Sequence, residues 1–252
     1  MRTYRASTLP FSEFRLTEFV GELHQAGMSA IELAQVHYSD VEAETIAALR
    51  DETGLYFTSM LSTVGVDAPD GLEALISILD TAQRLSIPMI SIASGGKEDA
   101  TTREIETIIG HLQTVTEEAQ IRNLTLMLYA HEGSLAYNLE RTQQILNAIS
   151  AENFGFYYSP YHFHRAGDDP VVALRTLSER LFSVYFNCGV DSKTGSEPFW
   201  APEMDFHAIC QEIDRVGYAG EIMLIYLGLK AETPQPIIEG VSNARAKLET
   251  YF

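Results

Sequence analysis

At 252 residues, 46% of them apolar, the chain can bury one large core, and a length of about 250 suits an eight-fold β/α barrel kept as one domain. Its 17 Lys and Arg against 35 Asp and Glu leave a net charge of −18, which opposes counterion displacement from a polyanion and excludes nucleic acid and anionic membranes as expected partners. No apolar run approaches bilayer length, the opening MRTYRASTLPFSEF lacks the apolar centre of a secretory signal, and two cysteines make no disulfide framework, so a cytoplasmic protein is expected.

Short apolar runs rich in branched and aromatic residues recur at intervals of about 25 to 40 residues, each followed by a helix-period stretch. After the first, Thr3–Thr8, Leu16, Phe19, Val20, Leu23 and His24 keep helical spacing, and Gly27 sits where a left-handed C-cap would end the turn. Ala30–Ala34 is the second run. Ser39-Asp-Val-Glu42 fits a capping box beyond it, and Gly54 closes the helix that follows. Leu55–Leu61 and Met89–Ala93 come next, then a second capping box at Thr101-Thr-Arg-Glu104. Leu124–Tyr129 and Phe154–Ser159 are the fifth and sixth runs, with Asp169-Pro170 placing a cap residue before a proline at a first helical position. Phe182–Asn187 leads into the longest irregular stretch, Gly189 to Met204, and Gly217 ends a helix ahead of the eighth run, Ile222–Leu227.

Eight strands alternating with helices require parallel pairing with helical crossovers, and no Pro/Gly/Ser-rich linker divides them, so one (β/α)8 TIM barrel domain over residues 1–252 is expected. Such barrels carry their chemistry on loops at the strand C-termini. The stretches to examine are therefore Glu32 with His37, Ser62, Ser94–Lys97, Tyr129–Glu132, Ser159–Arg165, Asn187–Lys193 and Ile225–Lys230.

Four segments carry a resemblance. LTEFVGELHQAGMSAIEL, Leu16 to Leu33, has the "G-x-x-x-I-E-L" character of a first helix entering a second strand; LTLMLYAHEG, Leu124 to Gly133, matches a fifth strand that usually ends "E-x-H-x-G". FGFYYSPYH, Phe154 to His162, is similar to a sixth strand ending "D-x-x-H", and DFHAICQEIDRVGYAGEIML, Asp205 to Leu224, to a seventh helix, a "G-Y-x-G" turn and an eighth strand. In this order and spacing they resemble the xylose isomerase-like barrel family of sugar-phosphate isomerases and epimerases. The resemblance implies a divalent Mg2+ or Mn2+ ion held by Glu, Asp, His and Glu from strands five to eight, the two glutamates also exchanging protons with the sugar carbon.

Carried over, those ligand positions fall on Tyr129, Ser159, Asn187 and Ile225, with Phe186 an alternative on strand seven. Three carboxylates and an imidazole are thereby replaced by groups that hold a hard cation poorly, so no metal or other cofactor is expected. His162 corresponds to the substrate-contacting histidine of "D-x-x-H", Lys193 to an arginine against a substrate oxygen, His131 to the histidine after the lost Glu, and Glu32 to the second-strand acid.

Several residues also bear a reading of their own. His131, His162 and His164 invite a remodelled zinc site, since His162 and His164 at a spacing of two would share a strand face, yet no carboxylate completes it and polar wall residues are the simpler reading. Glu132 is a replacement base or a solvated loop acid. Glu32 needs a partner, for which Arg5 on the first strand is the candidate. Cys188 lacks an activating base and reads as inert. Trp200, in the long loop, is a candidate lid, and Ser94-Gly95-Gly96-Lys97 reads as a turn before it reads as a phosphate cradle.

The expectation is a sugar or sugar-phosphate isomerase or epimerase-family protein whose pocket persists while catalysis is altered or lost. His131, Glu132 and His162 are its catalytic candidates. Glu32, His37, Tyr129, Ser159, His164, Asn187, Lys193 and Trp200 are its substrate-binding candidates. The rival is a non-catalytic ligand-binding or partner barrel. Self-association is left open, because no stretch identifies an interface.

Overall fold

A computed structural model describes residues 2–39, 41–190 and 198–252. Eight strands, β1 (Tyr4–Ser7), β2 (Ala30–Ala34), β3 (Tyr56–Leu61), β4 (Met89–Ala93), β5 (Thr125–Tyr129), β6 (Phe154–Tyr158), β7 (Leu181–Gly189) and β8 (Ile222–Leu227), follow one another in a closed parallel barrel. Between and after them run α1 (Val20–Gln25), α2 (Gln35–Tyr38), α3 (Ala43–Thr53), α4 (Gly71–Leu85), α5 (Thr102–Ile121), α6 (Leu139–Ala148), α7 (Pro160–Ala166), α8 (Pro170–Leu177), α9 (Phe206–Arg215) and α10 (Gln235–Glu249). Among the described residues no helix is long and apolar enough to cross a membrane.

The residues form two compact units, Met1–Thr58 with Val184–Phe252, and Ser59–Ser183. In the first, β1 pairs with β2 and β8, and β8 with β7, all parallel. A Cβ at Gly240 of α10 would lie 2.2 Å from the Tyr226 ring, so Tyr226 faces the helix layer and needs a glycine opposite it. Strand alternation then turns Ile225 to the inner face. Phe186 likewise meets Phe206 of α9, ring centres 6.2 Å apart. Asn187, paired with Ile225, is therefore the inner-face residue at the end of β7, and Phe186 is not.

In the second unit β4 pairs with β3 and β5, and β5 with β6. Each apolar face of a helix covers the sheet, as Leu75, Ile78, Leu79 and Ala82 of α4 do, all buried; burying a side chain of this kind contributes about 1.5–3 kcal/mol. Arg180 closes the base of the unit, donating to the carbonyls of Leu146, Ile149, Ala151 and Phe154.

Helix ends follow the sequence with one exception. Thr101 and Glu104 form the reciprocal capping box of α5, Asp169 caps α8, and Gly27, Gly54 and Gly217 adopt left-handed φ of 84°, 73° and 73°. The box expected at Ser39–Glu42 is absent: the short α2 intervenes, Ser39 ends it by donating to the Gln35 carbonyl, and Glu42 precedes α3 without a side-chain cap.

Candidate functional site

Within the Ser59–Ser183 unit, the ends of β5 and β6 bring together the chemistry-bearing side chains. After Tyr129 the chain makes a tight turn: the His131 amide donates to the Ala136 carbonyl at 3.0 Å, and the Ser134 hydroxyl to the His131 carbonyl at 2.7 Å. Gly133, at φ 79°, lets its amide reach Glu98 Oε1 at 2.9 Å. The turn is thus fixed by its own backbone, which leaves the His131 ring to be oriented by its surroundings.

Those surroundings come from α7. Ser159 is extended and Pro160 takes the first helical position, so the chain turns into a helix directly after β6. His162 and Arg165, three residues apart, lie on one side of it. The His162 ring meets the His131 ring with centres 4.8 Å apart and planes tilted 42°, while Arg165 Nε donates to Glu132 Oε1 at 2.9 Å. His131 Nδ1 lies 2.7 Å from the Glu132 carbonyl. A carbonyl only accepts, so Nδ1 carries a proton, and in the neutral ring the lone pair is on Nε2.

His162 is 6% exposed, and its pKa is lowered to about 3, first by burial and then by the like charge that the His131 ring would carry. It is a neutral imidazole across the whole physiological range. Tyr129 stands edge-on to His131 at 6.4 Å and donates its hydroxyl to the Ser62 carbonyl at 3.1 Å. Ser159 is 1% exposed. His164, half-buried, is two helical residues from His162, about 200° around the helix. The strand face expected to carry both rings does not exist, because Pro160 starts a helix there. Among the described residues no group of three His, Cys, Asp or Glu side chains is placed to hold a metal ion.

The other unit holds the remaining candidates. Register pairs Ser7 with Glu32 and Arg5 with Ala30, so Arg5 and Glu32, both fully buried, share a strand face. Arg5 Nη1 donates to Thr58 Oγ1 at 3.3 Å. Asn187 and Ile225 sit side by side at the ends of β7 and β8, each 6% exposed. The Trp200 amide donates to the Asn187 carbonyl at 3.3 Å, which places Trp200, half-buried, beside that strand end. Cys188 is buried and its thiol pKa is pushed up by that burial, as expected of an inert cysteine. His37 Nε2 donates to the Phe14 carbonyl at 3.0 Å. Lys193 lies outside the described residues.

Arg165 is the residue whose part was not read from the sequence. Its signal was present: Ser159-Pro160 repeats the cap-proline pattern of Asp169-Pro170, and a helix begun there sets Arg165 one turn beyond His162.

Comparison with known proteins agrees with this architecture. No curated protein sequence matches the chain. Among solved structures, the IOLI protein with a bound zinc atom superposes with a TM-score of 0.82 at 15% identity, covering 100% of this chain and 99% of that one. L-ribulose 3-epimerase gives 0.78 at 17% identity, covering 100% and 96%. The probable 3-DHS dehydratase AsbF of Bacillus anthracis, involved in petrobactin synthesis, gives 0.78 at 18%, covering 97% and 98%. Identities this low speak for the fold alone. The xylose isomerase-like TIM barrel family model matches residues 20–246, and the chain belongs to that family.

Proposed function

We propose that the chain binds a small sugar-type ligand at the C-terminal ends of β5 and β6 through His131 and His162. It does so without the divalent cation that the family resemblance implies, so that isomerase or epimerase chemistry is altered or lost. The observation that carries this reading is the His131–His162 pair, two imidazoles 4.8 Å apart, one of them held neutral by burial. A neutral imidazole both donates and accepts, which suits a ligand hydroxyl. Several structural neighbours are named for sugars, L-ribulose 3-epimerase and D-psicose 3-epimerase among them, and a sugar-type ligand is carried here from those names.

The cation fits poorly. At the positions carried over from the family stand a phenol already donating to the Ser62 carbonyl, a serine, an amide and an isoleucine. None brings the negative charge that offsets a hard dication. If a proton is moved, the Nε2 lone pair of His131 is the acceptor, with the Glu132 carbonyl holding the other ring nitrogen.

A second reading, a ligand-binding or partner barrel without catalysis, draws on Tyr129, which buries a bulky ring where the resemblance implies a carboxylate. Histidine-selective NMR with L-ribulose and D-psicose tests the first. Ligand-dependent shifts of the His131 and His162 ring signals, lost in His131→Ala, are expected; the absence of any shift with either sugar would leave the partner reading.

A further inference from the structure

We infer that His37 is a pH-sensitive latch that holds the segment of residues 12–17 against α2. The segment leaves β1 through a 3-10 turn at Leu9–Phe11 and enters a second one at Leu16–Glu18. Most of its own side chains are exposed. His37, on the four-residue α2 that follows β2, is 9% exposed and spans the gap, its Nε2–H donating to the Phe14 carbonyl at 3.0 Å. Its ring stands edge-on to Phe19 at 5.7 Å, and Phe19 stacks on Phe11 at 4.3 Å. The latch therefore has a polar bolt seated in an aromatic socket.

Beside it runs a groove of about 340 Å³ lined by Phe14, Leu16, Val36 and Val41, with Arg15 and Glu42 at its edge. Releasing the bolt opens this groove. Both tethered pieces follow strand C-termini, the end at which barrels of this kind place their sites, so the latch governs a movable stretch of that rim.

The bolt is sensitive to protonation because of where it sits. Burial lowers the His37 pKa from its ordinary 6.5, and the carbonyls of Phe14 and Phe11, which favour the charged ring, offset this only in part. Nδ1 is buried with no hydrogen-bond partner among the described residues. Charged side chains on the surrounding elements are Glu13, Arg15 and Glu18 on or next to the segment, Glu22 and His24 on α1, Glu32 on β2, and Glu42 and Glu44 at α3. None of them hydrogen-bonds the ring among the described residues, and Arg15 is paired with Glu18 at 3.5 Å. Asp40 lies outside the described residues.

The closed state holds the ring neutral and the open state returns it to water. Closure is therefore fully favoured above pH 6.5 and is lost as pH falls through the lowered value. One proton taken up on opening raises the open population by up to about tenfold per pH unit between 6.5 and the lowered value, and no further below it.

Hydrogen exchange of the Phe14 and Glu18 amides, which donate to the Phe11 and Arg15 carbonyls at 2.9 Å each, reads the latch directly. Between about pH 7.5 and about pH 5.5, after correction for intrinsic rates, their protection is expected to fall in the native chain, by up to about tenfold. His37→Gln keeps an N–H donor but cannot titrate, and should hold its protection across the same interval. His37→Ala should be unprotected at both. The latch is overturned if His37→Gln loses protection as the native chain does, or if the native His37 ring titrates at or above 6.5 by NMR. None of these readouts needs a ligand, so they stand or fall apart from the sugar-site proposal.

Discussion

His131 and His162 face each other with ring centres 4.8 Å apart, one held in a backbone-fixed turn after β5 and the other on the first full turn of α7. Two charged imidazoles at that separation would repel by about 3 kcal/mol at an effective dielectric constant of about 20, and burial of His162 adds the larger penalty. His162 therefore offers a ligand a neutral donor and acceptor rather than a fixed charge.

Acid should destabilise the fold through His162. Its pKa falls from 6.5 unfolded to about 3 folded, so its contribution to stability is complete above pH 6.5 and drains away as pH drops toward 3. Each pH unit in that window costs up to about 1.4 kcal/mol. Denaturant melts across the window should show the loss, and His162→Gln should flatten it. A His162 signal that titrates near 6.5 in the folded protein would contradict this.

Glu132 should matter as the partner of Arg165 rather than as a base. Its carboxylate is 45% exposed and its ion-pair partner 39% exposed, so Glu132→Gln should cost less than about 1 kcal/mol of stability. The same variant should leave sugar-induced histidine shifts in place. Loss of any measured isomerisation or epimerisation in Glu132→Gln, with binding retained, would return the carboxylate to the role of base.

Tyr129 should prove structural through its hydroxyl as well as its ring. Tyr129→Phe strands the Ser62 carbonyl that now accepts from it, at about 1 kcal/mol. Tyr129→Ala removes a ring that is 9% exposed, at about 3–5 kcal/mol. Equilibrium unfolding of both variants checks the order. A stable Tyr129→Ala would show the ring to be loosely packed and the space beneath it open.

The barrel was legible because each strand announces itself as a short apolar run between turn residues. The runs at Ala30–Ala34, Met89–Ala93 and Ile222–Leu227 coincide with β2, β4 and β8. The register was not, yet it decides the site: Asn187 and not Phe186 reaches the inner face, as the Phe206 ring of α9 against Phe186 and the pairing of Asn187 with Ile225 reveal. Ser39 misleads because its capping pattern fits two helix ends equally well, and the chain uses it to finish α2. His162 and His164 mislead for a related reason, since a spacing of two means one face on a strand and nearly opposite faces on a helix. Arg165 escapes notice because its part depends on α7 existing at all.

The most direct measurement is metal content. Protein stripped with chelator would be reloaded separately with Mg2+, Mn2+, Co2+ and Zn2+, dialysed, and read by elemental analysis together with its melting temperature. With Tyr129, Ser159, Asn187 and Ile225 at the inherited positions, no ion should be retained stoichiometrically and no melting temperature should rise. Retention of one ion per chain with a raised melting temperature would contradict the cation-free reading and restore metal-assisted sugar isomerisation as the leading activity.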